Sequence, residues 1–376
     1  MPLPVPGADV RARDHGIVIG HGTPGEHNAL TDVNGVRVGH CTLRSGTGRL
    51  VVGEGPVRTG VTVILPPGDV WAAPVFAGCH RLNGNGEMTG LEWVRESGML
   101  TSPVALTNTH SVGVVRDALL VDRLRRSQSD LPSPWALPVV AETWDGVLND
   151  LNGFHVRSEH LHEAIAAAAS GVPEGAVGAG TGMICHGFKG GIGTSSRVRP
   201  TAEGGYTVGV LVLANHGRRS RLVVNGIPLA RAFPDVPEPE DVHGVGPGAG
   251  SIIVVVATDA PLLPHQCQRL AQRAGLGVAR LGGVGEHTSG DLFLCFAIGN
   301  RGMTPAAPPT GGPISFALSM FADAHITGLF DAVVEATEEA ILNAMLAAPT
   351  TEGRDGIIAH GLDGKRVAAA LLAARR

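Results

Sequence analysis

At 376 residues the chain can bury a sizeable core and has the length of one large or two average domains. Hydrophobic residues make up 43% and aromatics 4%, so Val, Ile, Leu and Ala must fill the interior. A formal net charge of -5, with no Lys/Arg cluster flanked by aromatics, excludes a nucleic-acid footprint. No run of about twenty uninterrupted apolar residues occurs, which argues against a membrane span. The opening MPLPVPGADVRARDHG has no basic stretch leading into an apolar one, so no signal peptide is expected. Cys41, Cys79, Cys185, Cys267 and Cys295 are dispersed and odd in number, which suits buried thiols in a reducing compartment. The expectation is a soluble cytoplasmic protein.

In chain order, Val/Ile-rich runs bounded by Gly, Pro, Asn or Asp predict strands at Val61-Leu65 and Val104-Asn108. A helix follows from Val114 to Arg126, then a strand at Val139-Glu142. Ser158 can cap a helix that runs through Ala164-Ala169 until Gly171 stops it. Tyr206-Ala214 is the next strand, and FPDVPEPEDVHGVGPGAG at Phe233-Gly250 is an exposed, poorly packed loop by composition. Beyond it come a strand at Ile252-Thr258, a helix at Leu262-Ala274 and a strand at Leu292-Ile298. Helices at Leu329-Ala347 and Arg366-Arg375 complete the chain. Several strands are continuously apolar, as in sheets covered on both faces, and the mixture along the whole length fits an α/β layered sandwich.

Gly250-Ser251 is the most informative dipeptide. It ends the Pro/Gly/acid-rich loop and opens the apolar run Ile252-Ala257, which places a hydroxyl at the mouth of a rigid strand directly after a residue without a side chain. A serine so held can attack the preceding carbonyl, leaving Ser251 as a new N-terminus with both a nucleophile and an amine. The same dipeptide also suits an ordinary turn-to-strand junction, and the loop before it serves equally as a linker or as a tail that withdraws after cleavage.

Other segments carry chemistry in the same open sense. Ser289 and Asp291, two apart at a strand start, can address one site as a proton relay, or form a capped turn. Asn215 ends a strand, where its amide can serve a developing oxyanion or simply make the turn. Glu142-Thr143-Trp144-Asp145-Gly146 offers two carboxylates near an aromatic, suited to a substrate ammonium or to a solvated loop. The glycine-rich segments 178–182, 190–193 and 244–250 lack the spacing of a nucleotide-binding motif. His160 and His162, two apart on a helix, face different sides and read as exposed side chains, not metal ligands.

Together, Ser251, Ser289-Gly290-Asp291, Asn215 and Glu142-Gly146 make the chain resemble the self-processing L-aminopeptidase/D-esterase family. This is peptidase family S58, a group of N-terminal-nucleophile-type serine hydrolases that includes the β-peptidyl aminopeptidases. The resemblance extends through Leu30-Val36, Asn83-Gly90, Thr107-His110, Gly180-Met183 and Gly187-Gly191, over roughly residues 25 to 350.

The resemblance implies a four-layer αββα sandwich formed by residues 1–376 as a single domain, cut at 250/251 into a large subunit (1–250) and a small one (251–376). It implies that 233–250 is a mobile loop before cleavage and that four copies of the cleaved pair assemble. Ser251 would be the nucleophile, assisted by Ser289 and Asp291; Asn215 would stabilise the oxyanion and Glu142 would bind the substrate amine. No metal or organic cofactor is implied, and the partners are a small peptide, amide or ester substrate and further copies of the chain. One departure stands out: the family commonly has tyrosine where this chain has Trp144, whose indole N–H only donates. Two other readings share the fold, a self-processing amidase of polyamide oligomers and a catalytically weak binding or assembly protein.

Overall fold

The apolar runs sort into two sheets because each strand must cover two faces. The computed structural model describes residues 10–126, 135–239, 250–303 and 313–374. In chain order the strands of the main sheets are β1 (Arg37–Ser45), β2 (Val57–Leu65), β3 (Val75–Gly84), β4 (Met99–Leu100), β5 (Val104–Asn108) and β6 (Val139–Thr143). They continue with β7 (Gly191–Val198), β8 (Thr207–Asn215), β9 (Ser251–Thr258) and β10 (Gly290–Ala297). One sheet has the order β1-β2-β5-β6 and the other β4-β3-β10-β9-β8-β7. Neighbours are antiparallel except for the parallel pairs β5–β6 and β9–β10.

Side-chain alternation shows how the layers stack. On β9, Ile252, Val254 and Val256 join one core cluster, while Ile253, Val255 and Ala257 join another. The first cluster is shared with the helices α4 (Pro264–Arg280) and α5 (Thr327–Leu346), which cover the six-stranded sheet. The second holds Ile64, Leu106 and Ala141 of the four-stranded sheet, so it lies between the sheets. A third cluster joins Val61, Val63 and Ala105 to α2 (Val112–Arg126) and α3 (Ser158–Ala166). The order is helix, sheet, sheet, helix. A Val, Ile or Leu fully buried in such layers contributes about 1.5–3 kcal/mol, and β9, like its neighbours β8 and β10, is buried along its whole length.

Among the strands that composition does not announce are β1, β3 and β7, which carry Gly, His, Arg and Ser. Their pairing partners supply the stabilisation that intrinsic preference does not. A short helix, α1 (Leu91–Ser97), was likewise not expected. Helix α3 begins at Ser158 with Arg157 at the cap position, and it stops at Ala166, not Gly171. Val38 and Ala169 exchange backbone hydrogen bonds of 3.0 Å each way, and this bridge to β1 draws the chain out of the helix. His160 and His162 are half-buried instead of exposed, and the His160 ring accepts the Arg157 N–H at 2.9 Å.

The loop expected at Phe233-Gly250 falls mostly on residues 240–249, outside the described residues. Its start is not poorly packed: Phe233 is buried edge-on against Phe188, and Asp235 binds the Arg366 guanidinium at 2.6 Å. Arg366 belongs to α6 (Gly364–Ala373), so an aromatic and an ion pair tether this segment to the C-terminal helix. Among the described residues no helix is long and apolar enough to cross a membrane.

Candidate active site

Register within the six-stranded sheet brings Ser251, Asn215 and Asp291 together at one end of the sandwich. Ser251 opens β9 as the Cα partner of Asn215, the last residue of β8. On the other side β9 pairs in parallel with β10, Ile252 opposite Asp291. The Ser251 hydroxyl oxygen accepts the Gly290 backbone N–H at 3.0 Å, so the residue between Ser289 and Asp291 touches the candidate nucleophile directly. Ser289 Oγ donates to Asp291 Oδ1 at 2.5 Å. All three side chains are buried. Burial pushes Asp291 up to about 6, against the opposing pull of the Ser289 hydrogen bond.

Asn215 is held at both ends of its amide. Its Oδ1 accepts the Ile184 N–H at 2.7 Å and its Nδ2 donates to the Trp144 carbonyl at 2.8 Å. A primary amide nitrogen has two hydrogens, so one remains for another acceptor. Gly250 is that close: a Cβ there would lie 3.1 Å from Asn215 Nδ2 and 1.9 Å from the Asn215 carbonyl oxygen. The dipeptide's glycine is required by this approach.

Glu142 ends up on the same side through the loop at Asn83-Gly86. Its Oε1 accepts the Glu87 N–H at 2.8 Å and its Oε2 accepts the Thr109 hydroxyl. Gly86 separates this carboxylate from Gly290; a Cβ on it would meet Gly290 Cα at 3.0 Å and Glu142 Oε1 at 3.2 Å. The Asn85 amide donates to the Thr288 carbonyl at 2.7 Å, and the Asn85 N–H to Ser289 O at 3.3 Å, which clasps the loop to the start of β10. Burial raises the Glu142 carboxyl, partly offset by Thr109 and the Glu87 N–H. A cavity of 350 Å³ adjoins this gap, lined by Gly86, Met88, Trp93, Leu137 and Leu292 with the Arg81 and Arg95 guanidiniums.

The segment after β6 is not a solvated loop. Asp145 is buried and accepts from the Asn108 and Asn149 amides at 3.1 Å each, so its carboxylate is committed to the interior; burial pushes it up to about 6. Of the two acids, Glu142 alone faces the gap beside Gly86. Trp144 is half-buried beside a 210 Å³ cavity and contributes its carbonyl to Asn215. Sequence reasoning gave no role to the Gly290 N–H, the Ile184 N–H, Thr109 or Lys189. Lys189 is buried with its ammonium donating to Gly180, Met183 and Gly190 carbonyls at 2.7–3.0 Å, which fixes the turn that presents Ile184. The signal was present as the blocks Asn83-Gly90, Thr107-His110 and Gly187-Gly191, whose individual residues had no assigned contact.

The comparison with known proteins agrees with this fold. The model of "Peptidase family S58" matches residues 28–359. The beta-peptidyl aminopeptidase BapA of Sphingosinicella microcystinivorans is 48% identical over 97% of this chain and 93% of its own. A Burkholderia sp. beta-aminopeptidase structure superposes with a TM-score of 0.89 at 52% identity, covering 96% of this chain and 98% of that one. The L-aminopeptidase D-Ala-esterase/amidase of Ochrobactrum anthropi, described as a prototype serine aminopeptidase and a variant of the Ntn-hydrolase fold, gives 0.86 at 41% identity over 98% and 99%. With its αββα layers and a match across most of its length, this chain belongs to peptidase family S58, as a hydrolase of the aminopeptidase kind on the Ntn-hydrolase fold.

Proposed function

We propose that Ser251 is the nucleophile of a self-processing aminopeptidase, amidase and esterase that removes N-terminal residues from short peptides, amides and esters. The observation that carries this is the Ser251 hydroxyl at the mouth of β9, bonded to the Gly290 N–H and packed between Asn215 and the Ser289-Asp291 pair. Ser251 Oγ attacks the Gly250 carbonyl carbon, the Ser251 nitrogen departs as an amine, and an ester joins the two residues. Water then cleaves the ester, leaving a Gly250 carboxylate and a free Ser251 hydroxyl and amine. The Asn215 amide hydrogen not given to Trp144 serves the oxyanion in both processing and turnover.

In turnover the substrate carbonyl takes the place of Gly250 and its amine meets Glu142, the acid beside Gly86. A buried carboxylate favours a cation that brings compensating charge, which selects substrates with a free amine over blocked ones. The names of the relatives favour β-residues at the substrate N-terminus alongside α-residues. The same reading places the enzyme in the cytoplasm, in keeping with its buried free cysteines, as a tetramer of cleaved pairs. Self-association has a surface to use: Ile314, Phe316, Leu318 and Met320 are all exposed in the segment before α5.

Intact mass tests the proposal. Wild type should separate into 1–250 and 251–376, Ser251→Ala should stay whole, and a panel of α- and β-aminoacyl anilides should be cleaved only by the processed form. An uncut chain with full activity would overturn the reading, and faster cleavage of N-blocked amides would assign the polyamide amidase instead.

A further inference from the structure

Next to the Asn215 clasp lies a second cluster that the hydrolytic reading leaves unused. Cys185, His186 and His216 are all buried, and one donor atom from each lies within 4.8 Å of the other two. Cys185 Sγ and His216 Nδ1 are 3.8 Å apart. Two donors on one tetrahedral ion, with bonds of about 2.3 Å to sulfur and about 2.0 Å to nitrogen, stand roughly 3.6 Å apart. That separation suits a shared ion as well as a weak S–H contact.

Two further observations point to a ligand. First, His186 Nε2 has no hydrogen-bond partner among the described residues, although it is shut off from solvent. An unpaired buried polar atom costs about 1–3 kcal/mol, which an ion bound at this nitrogen would offset. Second, the His186 imidazole is fixed by its other nitrogen, with Nδ1 3.0 Å from the Arg218 carbonyl. That bond sets the tautomer with the proton on Nδ1 and leaves the Nε2 lone pair free, the outer-shell arrangement of metal-binding histidines. His186 also sits at φ +49, a left-handed conformation that a side-chain-bearing residue seldom holds without a reason, and a Cβ at Gly217 would strike its ring at 2.4 Å.

We propose that Cys185, His186 and His216 form a structural site for a thiophilic closed-shell ion, Zn²⁺ or Cu⁺. Binding replaces the Cys185 S–H bond with a metal–sulfur bond and releases that proton to solvent. The ion ties two separate turns together at a telling place. Cys185 follows Ile184 and His216 follows Asn215, the two ends of the hydrogen bond that orients the oxyanion amide. Its role is positioning, through the amide, and it contributes no reacting atom. This goes beyond the metal-free enzyme that the family resemblance implies.

The full-length protein produced in Zn²⁺-supplemented and in Cu-supplemented medium, purified without chelator, decides the matter by elemental analysis and X-ray absorption. One preparation should carry about one ion per chain with a sulfur and two nitrogen neighbours. Cys185→Ser and His216→Gln should each lose it, while Cys41→Ser keeps it; His186→Gln replaces either variant that fails to fold. Less than about a tenth of an ion per chain in both preparations, or unchanged content in the variants, overturns the site.

Discussion

Asn215 and Ser251 stand opposite each other in the antiparallel register of β8 and β9, so the amide and the hydroxyl are positioned by a sheet and not by a loop. A backbone ladder holds positions to fractions of an ångström, which is what a donor aimed at a developing charge needs. Replacing Asn215 with Ala should slow both self-cleavage and turnover by about 10²–10³ while leaving KM nearly unchanged, since the donor acts mainly in the transition state. Time-resolved intact mass and steady-state kinetics on a processed sample measure the two effects separately. A raised KM with kcat unchanged would instead make Asn215 a substrate-binding group.

Gly250 is constrained by contact and not only by chemistry. A Cβ there would fall 1.9 Å from the Asn215 carbonyl oxygen, so Gly250→Ala must push the strand mouth apart before the hydroxyl can reach its target. Processing should slow at least about tenfold for a misplacement of this size. The fold should survive, because Ile252 to Ala257 remain locked in both cores. Mass spectrometry over hours together with a circular dichroism spectrum separates slow processing from misfolding.

Glu142→Gln keeps the shape and the acceptor for the Glu87 N–H, turns its amide NH2 toward the Thr109 hydroxyl, which can rotate to accept, and removes the charge. kcat/KM on free-amine substrates should fall about 10²-fold, the scale of losing a buried ion pair, whereas N-acetylated substrates should be as poor with either form. Self-cleavage should be nearly unaffected, because the intact chain presents no amine there. A parallel loss of processing would mean that Glu142 supports the architecture of Gly86 and Gly290 instead of recognising substrate.

Stability rests on a different pair. Arg197 and Glu339 are both buried, with Nη2 and Oε2 2.7 Å apart, and Arg13 completes the other carboxylate oxygen at 2.8 Å. Burial alone would raise Glu339, but the Arg13 hydrogen bonds and the Arg197 charge together hold it below its ordinary range. Arg197→Met leaves a buried carboxylate short of a partner and should cost about 3–5 kcal/mol, whereas adding Glu339→Leu should recover much of the loss. Urea titration of the single and double variants reads this directly.

Much of the architecture was legible because the strands Val104-Asn108, Ile252-Thr258 and Leu292-Ile298 are apolar on both faces, a pattern that only layered sheets satisfy. β7, with its Gly, Thr and Ser residues, was not legible, since its place depends on β8 pairing with it. At the site, side chains with their own chemistry could be named in advance. The Gly290 and Ile184 N–H groups could not, because a backbone donor has no letter in the sequence; only the register of β9 against β10 places one beside Ser251. Asp145 was equally opaque: nothing in its neighbourhood along the chain says that Asn108 and Asn149 will close over it.

The proton acceptor is the last question that pH can resolve. Burial lifts Asp291 from 3.8 to about 6, so within that window the folded protein holds a proton that the unfolded chain has lost. Stability from this group therefore falls as pH rises from about 4 through 6, and Asp291→Asn should be relatively more stable above that range than below it. Activity has the opposite slope: the carboxylate must be ionised to accept the Ser289 proton, so kcat/KM should climb with pH through about 6 if Ser289 and Asp291 relay the Ser251 proton. A free Ser251 amine acting as base would place that rise near its ordinary value, about 8, and Asp291→Asn would leave it there. The pH profile of the processed wild type against the processed Asp291→Asn variant thus assigns the base: a limb near 6 that disappears in the variant belongs to the pair, and one near 8 that persists belongs to the amine.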